Sequence, residues 1–119
     1  MPGGADIGFV GEVAEVNTQV IRDLVHAGYL PVIAPIGVDD AGQSYNINAD
    51  TAAAAIAGAL NAEKFIMLTD VPGVLLDVDK PDSLISSLTV SDATTLIETK
   101  QISGGMIPKI AACLDAITR

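Results

Sequence analysis

The chain has 119 residues, a length that fits one compact domain. Half of them are hydrophobic but only 3% are aromatic, so the core has to be built from Ala, Val, Ile and Leu, as in α/β layered folds whose buried strands read as aliphatic runs. A formal net charge of −9 argues against nucleic acid and anionic membrane as partners, because both select surfaces rich in Lys and Arg.

An anionic substrate needs a local positive site against that background. Cys113 is the single cysteine, so an intrachain disulfide cannot form, and it reads as a small core residue. No apolar run reaches the roughly 18 residues that span a bilayer. The first residues lack the basic-then-apolar pattern of a signal peptide. Composition therefore reads as soluble and intracellular.

Residues 9–16 (FVGEVAEV) are rich in β-formers and read as a strand or hairpin arm. Asn17 then caps a helix that runs to about Ala27, with Val20, Ile21, Leu24 and Val25 on its apolar face and Gly28 as its left-handed stop. Residues 30–36 (LPVIAPI) form an aliphatic run of buried-strand type, whose two prolines argue against a central position. A polar turn over 37–43 follows. Residues 50–60 (DTAAAAIAGAL) predict a strong alanine-rich helix. Residues 64–69 (KFIMLT) predict a second buried strand, 70–73 a turn, and 74–76 a short strand. Ser91 predicts a cap for a helix over 92–99. After the glycine-bearing loop 102–107, Pro108 fits the first turn of a last helix, with Ile110, Ala111, Leu114 and Ile117 inward. Strands that alternate with helices predict a mainly parallel sheet covered by helices.

Two phosphate-binding signatures, G-x-x-x-x-G-K-[ST] and G-x-G-x-x-G, are absent. His26 reads as a surface residue favourably placed at a helix C-terminus. One His and one Cys make no typical structural zinc site, and no metal ligands are assigned. What remains is three strand-end segments, the place where ligands bind in open α/β sheets. In the first, the Asn46 and Asn48 amides bind a small polar ligand and Asp50, ionised at a helix N-terminus, orients ammonium groups or a metal, or else Asn48 and Asp50 merely cap the helix. In the second, Thr69, Asp70, Val71, Pro72, Gly73, Val74 and Leu75 offer backbone and carboxylate contacts to a nucleotide, or form an ordinary Pro-Gly turn. In the third, Gly104 and Gly105 let backbone N–H groups approach an anion at a helix N-terminus. Lys109 lies in that first turn, against the helix dipole, so it is either a solvated lysine or a cation for migrating phosphoryl oxygens.

Read in order, GFVGEV (8–13), YLPVIAPIG (29–37), YNINAD (45–50), AEKFIMLTDVPGVL (62–75) and ISGGMIPK (102–109) resemble the N-acetylglutamate kinases of the amino-acid kinase family. The likeness covers nearly the whole chain, and YNINAD, LTDVPGVL and GGMIPK together are highly specific. It implies a truncated three-layer αβα sandwich with a mainly parallel central sheet. Residues 1–119 would then be a single partial domain, the nucleotide-binding C-terminal part, with the N-terminal substrate domain and the last strands absent. The activity implied is ATP-dependent phosphorylation of the side-chain carboxylate of N-acetyl-L-glutamate, a step of arginine biosynthesis, with this chain supplying the ATP side.

In that resemblance Asp50 organises the catalytic lysines and Lys109 stabilises the transition state. Asn46 and Asn48 lie on the acetylated amino acid. Thr69 and residues 70–75, with Gln101, Ile102, Ser103 and Met106, hold ATP, and Mg2+ is carried largely by the ATP phosphates. A homo-oligomer of the complete protein is implied, with arginine feedback and PII-protein binding in parts of the family. Its members are cytoplasmic in bacteria and plastidial in plants. The competing readings are a non-catalytic nucleotide-binding or oligomerisation fragment, and another carboxylate or carbamate kinase of the same fold.

Overall fold

The structure is a computed structural model that describes residues 8–77, 79–102 and 104–118. The elements run α1 (Thr18–His26), β1 (Ile36–Val38), β2 (Ser44–Asn46), α2 (Ala49–Leu60), β3 (Val74–Leu75), β4 (Leu84–Ile85), α3 (Val90–Glu98) and α4 (Met106–Thr118). A 3-10 turn at Pro81–Ser83 leads into β4.

Each helix starts where a local signal places it. Asn17 caps α1, its side chain accepting from the Gln19 N–H at 3.2 Å, and Gly28 leaves it with φ 84°. His26 is exposed as the last residue of α1. Asn48 caps α2 through the Thr51 N–H at 3.1 Å, and Asn61 ends it in a left-handed conformation. The start of α3 departs from expectation. Its cap is Thr89, not Ser91: the Thr89 hydroxyl accepts from the Asp92 N–H at 3.1 Å while Asp92 accepts back from the Thr89 N–H at 3.3 Å. A threonine followed three residues later by a carboxylate satisfies two orphan donors at once, which a lone Ser91 cannot do.

The strands differ more. Residues 9–16 form no strand; within them Val10 makes a single parallel bridge to Asn46. Only Ile36 of residues 30–36 enters a ladder, because Pro31 and Pro35 have no N–H to donate. Residues 64–69 pair with no other described segment, although they keep a strand's alternation: Phe65 and Met67 are half-buried while Ile66 and Leu68 are 76% and 95% exposed. The ladders that form are antiparallel, β1 with β2 and β3 with β4. Among the described residues the expected mainly parallel pairing is thus reduced to the Val10–Asn46 bridge. The α/β class itself stands.

The core lies between the helices. Ala93, Ile102, Met106 and Ile110 form a buried cluster, with Val71, Val74, Leu96, Ile97 and Leu114 packed against it. On α4 the buried residues are Met106, Ile110 and Ala112, whereas Ala111 and Ile117, expected inward, are exposed. Ile110 and Leu114 do face the core as expected, and Ala112 is buried in place of Ala111. The contact between α2 and α4 is the most extensive between any two elements. Ala54, Ala55 and Gly58 of α2 and Ala112 of α4 are buried, so small side chains set how closely the helices approach. Replacing Ala55, 1% exposed, by Leu should destabilise the fold by about 1–3 kcal/mol through overpacking, read as a lower urea midpoint with unchanged slope.

Candidate functional site

All three candidate segments converge on α4. Its N-terminus follows Gly104, in the left-handed region at φ 61°, and Gly105, and the Ile107 N–H donates to the Gly104 carbonyl at 3.3 Å. The first N–H groups of a helix lack intrahelical acceptors and carry its positive end. Lys109 stands one turn in. Side chains on a helix lean toward its N-terminus, which brings a lysine amine at this position back over the helix start.

The Lys109 Nζ lies 3.4 Å from Asp50 Oδ2, joining residues 59 positions apart. Asp50 comes from the first turn of α2, where the helix dipole favours a carboxylate. The side chains are 26% and 35% exposed, and the distance is longer than the 2.7–2.9 Å of a tight charge-assisted bond. As a stabilising contact the pair is worth about 0–1 kcal/mol. Its chemical meaning is different. An ammonium has three donors, one of which is directed at Asp50, so the rest can meet oxygens of a ligand.

Below this pair, one turn further along α4, the Cys113 thiol donates to Met67 Sδ at 3.4 Å. Cys113 is half-buried rather than fully so. Burial pushes its thiol above the usual range, and the Asp50 charge pushes it further. Neither the Met67 contact nor the neighbourhood of Asp50 was expected of Cys113. The signal for it is the four-residue spacing from Lys109, which puts both on one helical face.

The remaining candidates separate by burial. Leu75, Ile102 and Met106 are buried, and Val71 and Val74 pack on the same cluster, so these side chains are core. Their packing ties the 71–75 turn to the start of α4. Thr69, Asp70, Pro72 and Gln101 are exposed, with the Thr69 hydroxyl donating to Asp70 at 3.0 Å and the Gln101 N–H to the Leu96 carbonyl at 3.1 Å. Gly73 lies under Leu84: a Cβ there would stand 3.0 Å from Leu84 Cδ1. Ser103 lies outside the described residues.

Asn46 and Asn48 occupy alternate positions along the chain that enters α2. Tyr45 and Ile47 turn the other way, toward Gly11 and Gly37, where added Cβ atoms would come within 3.0–3.4 Å of them. The Asn48 side-chain carbonyl is committed to Thr51, its N–H at 3.1 Å and its hydroxyl at 3.3 Å, so the capping role holds and the amide NH2 remains for other contacts. No hydrogen bond or ion pair among the described residues joins Asn46 to Lys109 or to residues 69–75. At the turn between β1 and β2, Asp39 accepts from the N–H groups of Ala41 and Gln43 and from the Tyr45 hydroxyl. The Gln43 N–H above all, then the Tyr45 hydroxyl, holds the Asp39 carboxyl below the usual range, and Asp39 pushes the Tyr45 hydroxyl up. These two residues were not singled out from the sequence, although an Asp opening a D-D-A-G turn is a readable Asx-turn signal.

An α/β fold with a lysine and an aspartate brought together over a glycine-led helix start defines a class, and the chain belongs to the amino acid kinase family, whose model matches residues 2–119. Within it the similarity is to acetylglutamate kinases. That of Heliobacterium modesticaldum is 56% identical over 112 residues, 94% of this chain and 38% of the relative. That of Pelotomaculum thermopropionicum is 55% identical over 113 residues, again 38% of the relative. The chloroplastic acetylglutamate kinase of Arabidopsis thaliana is 49% identical over 119 residues, all of this chain and 34% of the relative. The solved structure of smu.665 from Streptococcus mutans UA159 superposes with a TM-score of 0.80 at 35% identity, covering 93% of this chain and 44% of that one. The chain thus spans little more than a third of the length of the curated relatives it matches. No helix among the described residues is long and apolar enough to cross a membrane.

The Cys113 environment gives a signed test of the Asp50 geometry. Asp50→Asn removes a negative charge that disfavours the thiolate, so alkylation of Cys113 at pH 8 should speed up about twofold or more. An unchanged or slower rate, followed with a chromogenic disulfide, would place Asp50 away from Cys113.

Proposed function

We propose that this chain supplies the ATP-side half of an acetylglutamate kinase site, in which the side-chain carboxylate of N-acetyl-L-glutamate is phosphorylated to an acyl phosphate. The observation that carries this reading is the Lys109–Asp50 pair at 3.4 Å beside the start of α4. A carboxylate oxygen attacks the γ-phosphorus, and the bond from phosphorus to the β–γ bridging oxygen breaks. Negative charge is spread over the equatorial oxygens meanwhile, and two anionic reactants have to meet. Lys109 supplies positive charge to those oxygens, and the N–H groups at the head of α4 add to it. Asp50 holds the lysine without consuming its remaining donors.

ATP lies along residues 69–73 and 101–105, reaching backbone and exposed side chains, with Val74, Leu75, Ile102 and Met106 as the packed floor. Asn46 and the amide NH2 of Asn48 hold the amino acid. Mg2+ would be held largely through the nucleotide phosphates, as is usual for this hard ion. The identities of 56% and 55% to acetylglutamate kinases support this substrate over other acids.

The test is a hybrid in which this chain replaces the matching stretch of the Heliobacterium modesticaldum enzyme. It should turn over ATP with N-acetyl-L-glutamate and not with glutamate, aspartate or carbamate, as followed by hydroxylamine trapping of the acyl phosphate. Lys109→Ala should lower kcat by about 10²–10³-fold, with smaller changes in KM. Asp50→Asn should also lower kcat strongly. Normal turnover in either variant removes the assigned role.

A further inference from the structure

Resting on the reading of Asn46 as a contact to the acetylated amino acid, we propose that Asp39 and Tyr45 are positioning residues that set the Asn46 subsite. Asp39 gathers the turn between β1 and β2. Its Oδ1 accepts from the N–H groups of Ala41 and Gln43, each at 2.9 Å, and its Oδ2 accepts from the Tyr45 hydroxyl at 3.0 Å. Its own backbone closes the turn as well, its N–H donating to the Gln43 carbonyl at 3.0 Å and its carbonyl accepting from Gly42 at 2.9 Å. One carboxylate therefore fixes both the turn and the direction of the Tyr45 side chain.

Tyr45 passes that constraint to the neighbouring residue. Its ring meets Phe9 edge-on, with centroids 6.0 Å apart at 75°. Its stem lies on Gly11, where a Cβ would stand 3.0 Å from Tyr45 Cβ, so any larger residue there would have to push the Tyr45 stem back. The same segment grips Asn46: the Asn46 N–H donates to the Phe9 carbonyl at 2.8 Å, and the Asn46 carbonyl accepts from the Gly11 N–H at 2.9 Å. Asn46 thus lies between β1, whose turn Asp39 sets, and the segment 9–11, which is seated on the Tyr45 side chain. Its side chain makes no hydrogen bond to another described residue and is exposed, so its placement depends on this backbone clamp. Among the described residues no hydrogen bond or ion pair joins the clamp to Lys109 or to residues 69–75, so its effect falls on one substrate and not on the other.

The hybrid enzyme reads this out as a split between two Michaelis constants. Asp39→Ala should raise KM for N-acetyl-L-glutamate about tenfold while KM for ATP stays within about twofold. Asp39→Asn keeps an Oδ1 acceptor for the two N–H groups and should restore most of the loss. Tyr45→Phe deletes a single hydroxyl and should give a rise of about threefold. If Asp39→Ala fails to fold, Tyr45→Phe and Asp39→Asn carry the test. An acetylglutamate KM that is unchanged in Tyr45→Phe, or that moves in step with the ATP KM, overturns the positioning proposal. A hybrid with no acetylglutamate turnover before any substitution overturns instead the substrate reading beneath it.

Discussion

The close approach of α2 and α4 is the constraint on which the rest depends. Both helices bury small residues, Ala54, Ala55 and Gly58 on α2 and Ala112 on α4, and the two helices pack on each other. Larger side chains there would push the axes apart by ångströms in an interior with no slack. The approach brings the first turn of α2 beside the first turn of α4, and that proximity makes the Asp50–Lys109 contact possible. It also frees the opposite face of α4, through Met106 and Ile110, to gather Val71, Val74 and Ile102. One helix thereby ties a charge pair on one side to the candidate nucleotide turn on the other.

The electrostatics follow from the same placement. With a net charge of −9 the chain offers little general attraction to an anion. A fixed cation beside a helix N-terminus concentrates the positive charge where phosphoryl oxygens would lie. The looseness of the Asp50 contact matters more than its strength. A tight, buried pair would neutralise Lys109, whereas a partly exposed one at 3.4 Å orients it and leaves donors for a ligand.

Helices were legible in the sequence because their signals are local. Asn17, Gly28 and Asn48 act within a few residues of themselves, and each is found in the expected role. Strands were not, because a ladder depends on partners elsewhere in the chain. Residues 64–69 retain the alternation of a strand yet pair with nothing described, leaving Leu68 almost wholly exposed. The β4 strand, two residues in a polar stretch, has no local signature and exists only through Val74 and Leu75. For the site, Asp50 and Lys109 could be singled out by their places at helix starts, but no spacing predicts that residues 59 apart meet. Met106 and Ile102 were placed at ATP by the family resemblance; both side chains are buried in the core cluster. Tyr45 and Asp39 went unremarked for the converse reason. Their hydrogen bonds belong to the β1–β2 hairpin and form only once it is folded.

The most direct test of the central claim is a double-mutant cycle between Asp50 and Lys109, read on the kcat of the hybrid enzyme. If Asp50 acts by holding Lys109, the Asp50→Asn/Lys109→Ala double variant should lose no more activity than Lys109→Ala alone. Losses that multiply independently would show that the two residues act apart, and would contradict the pair as the working unit of the site.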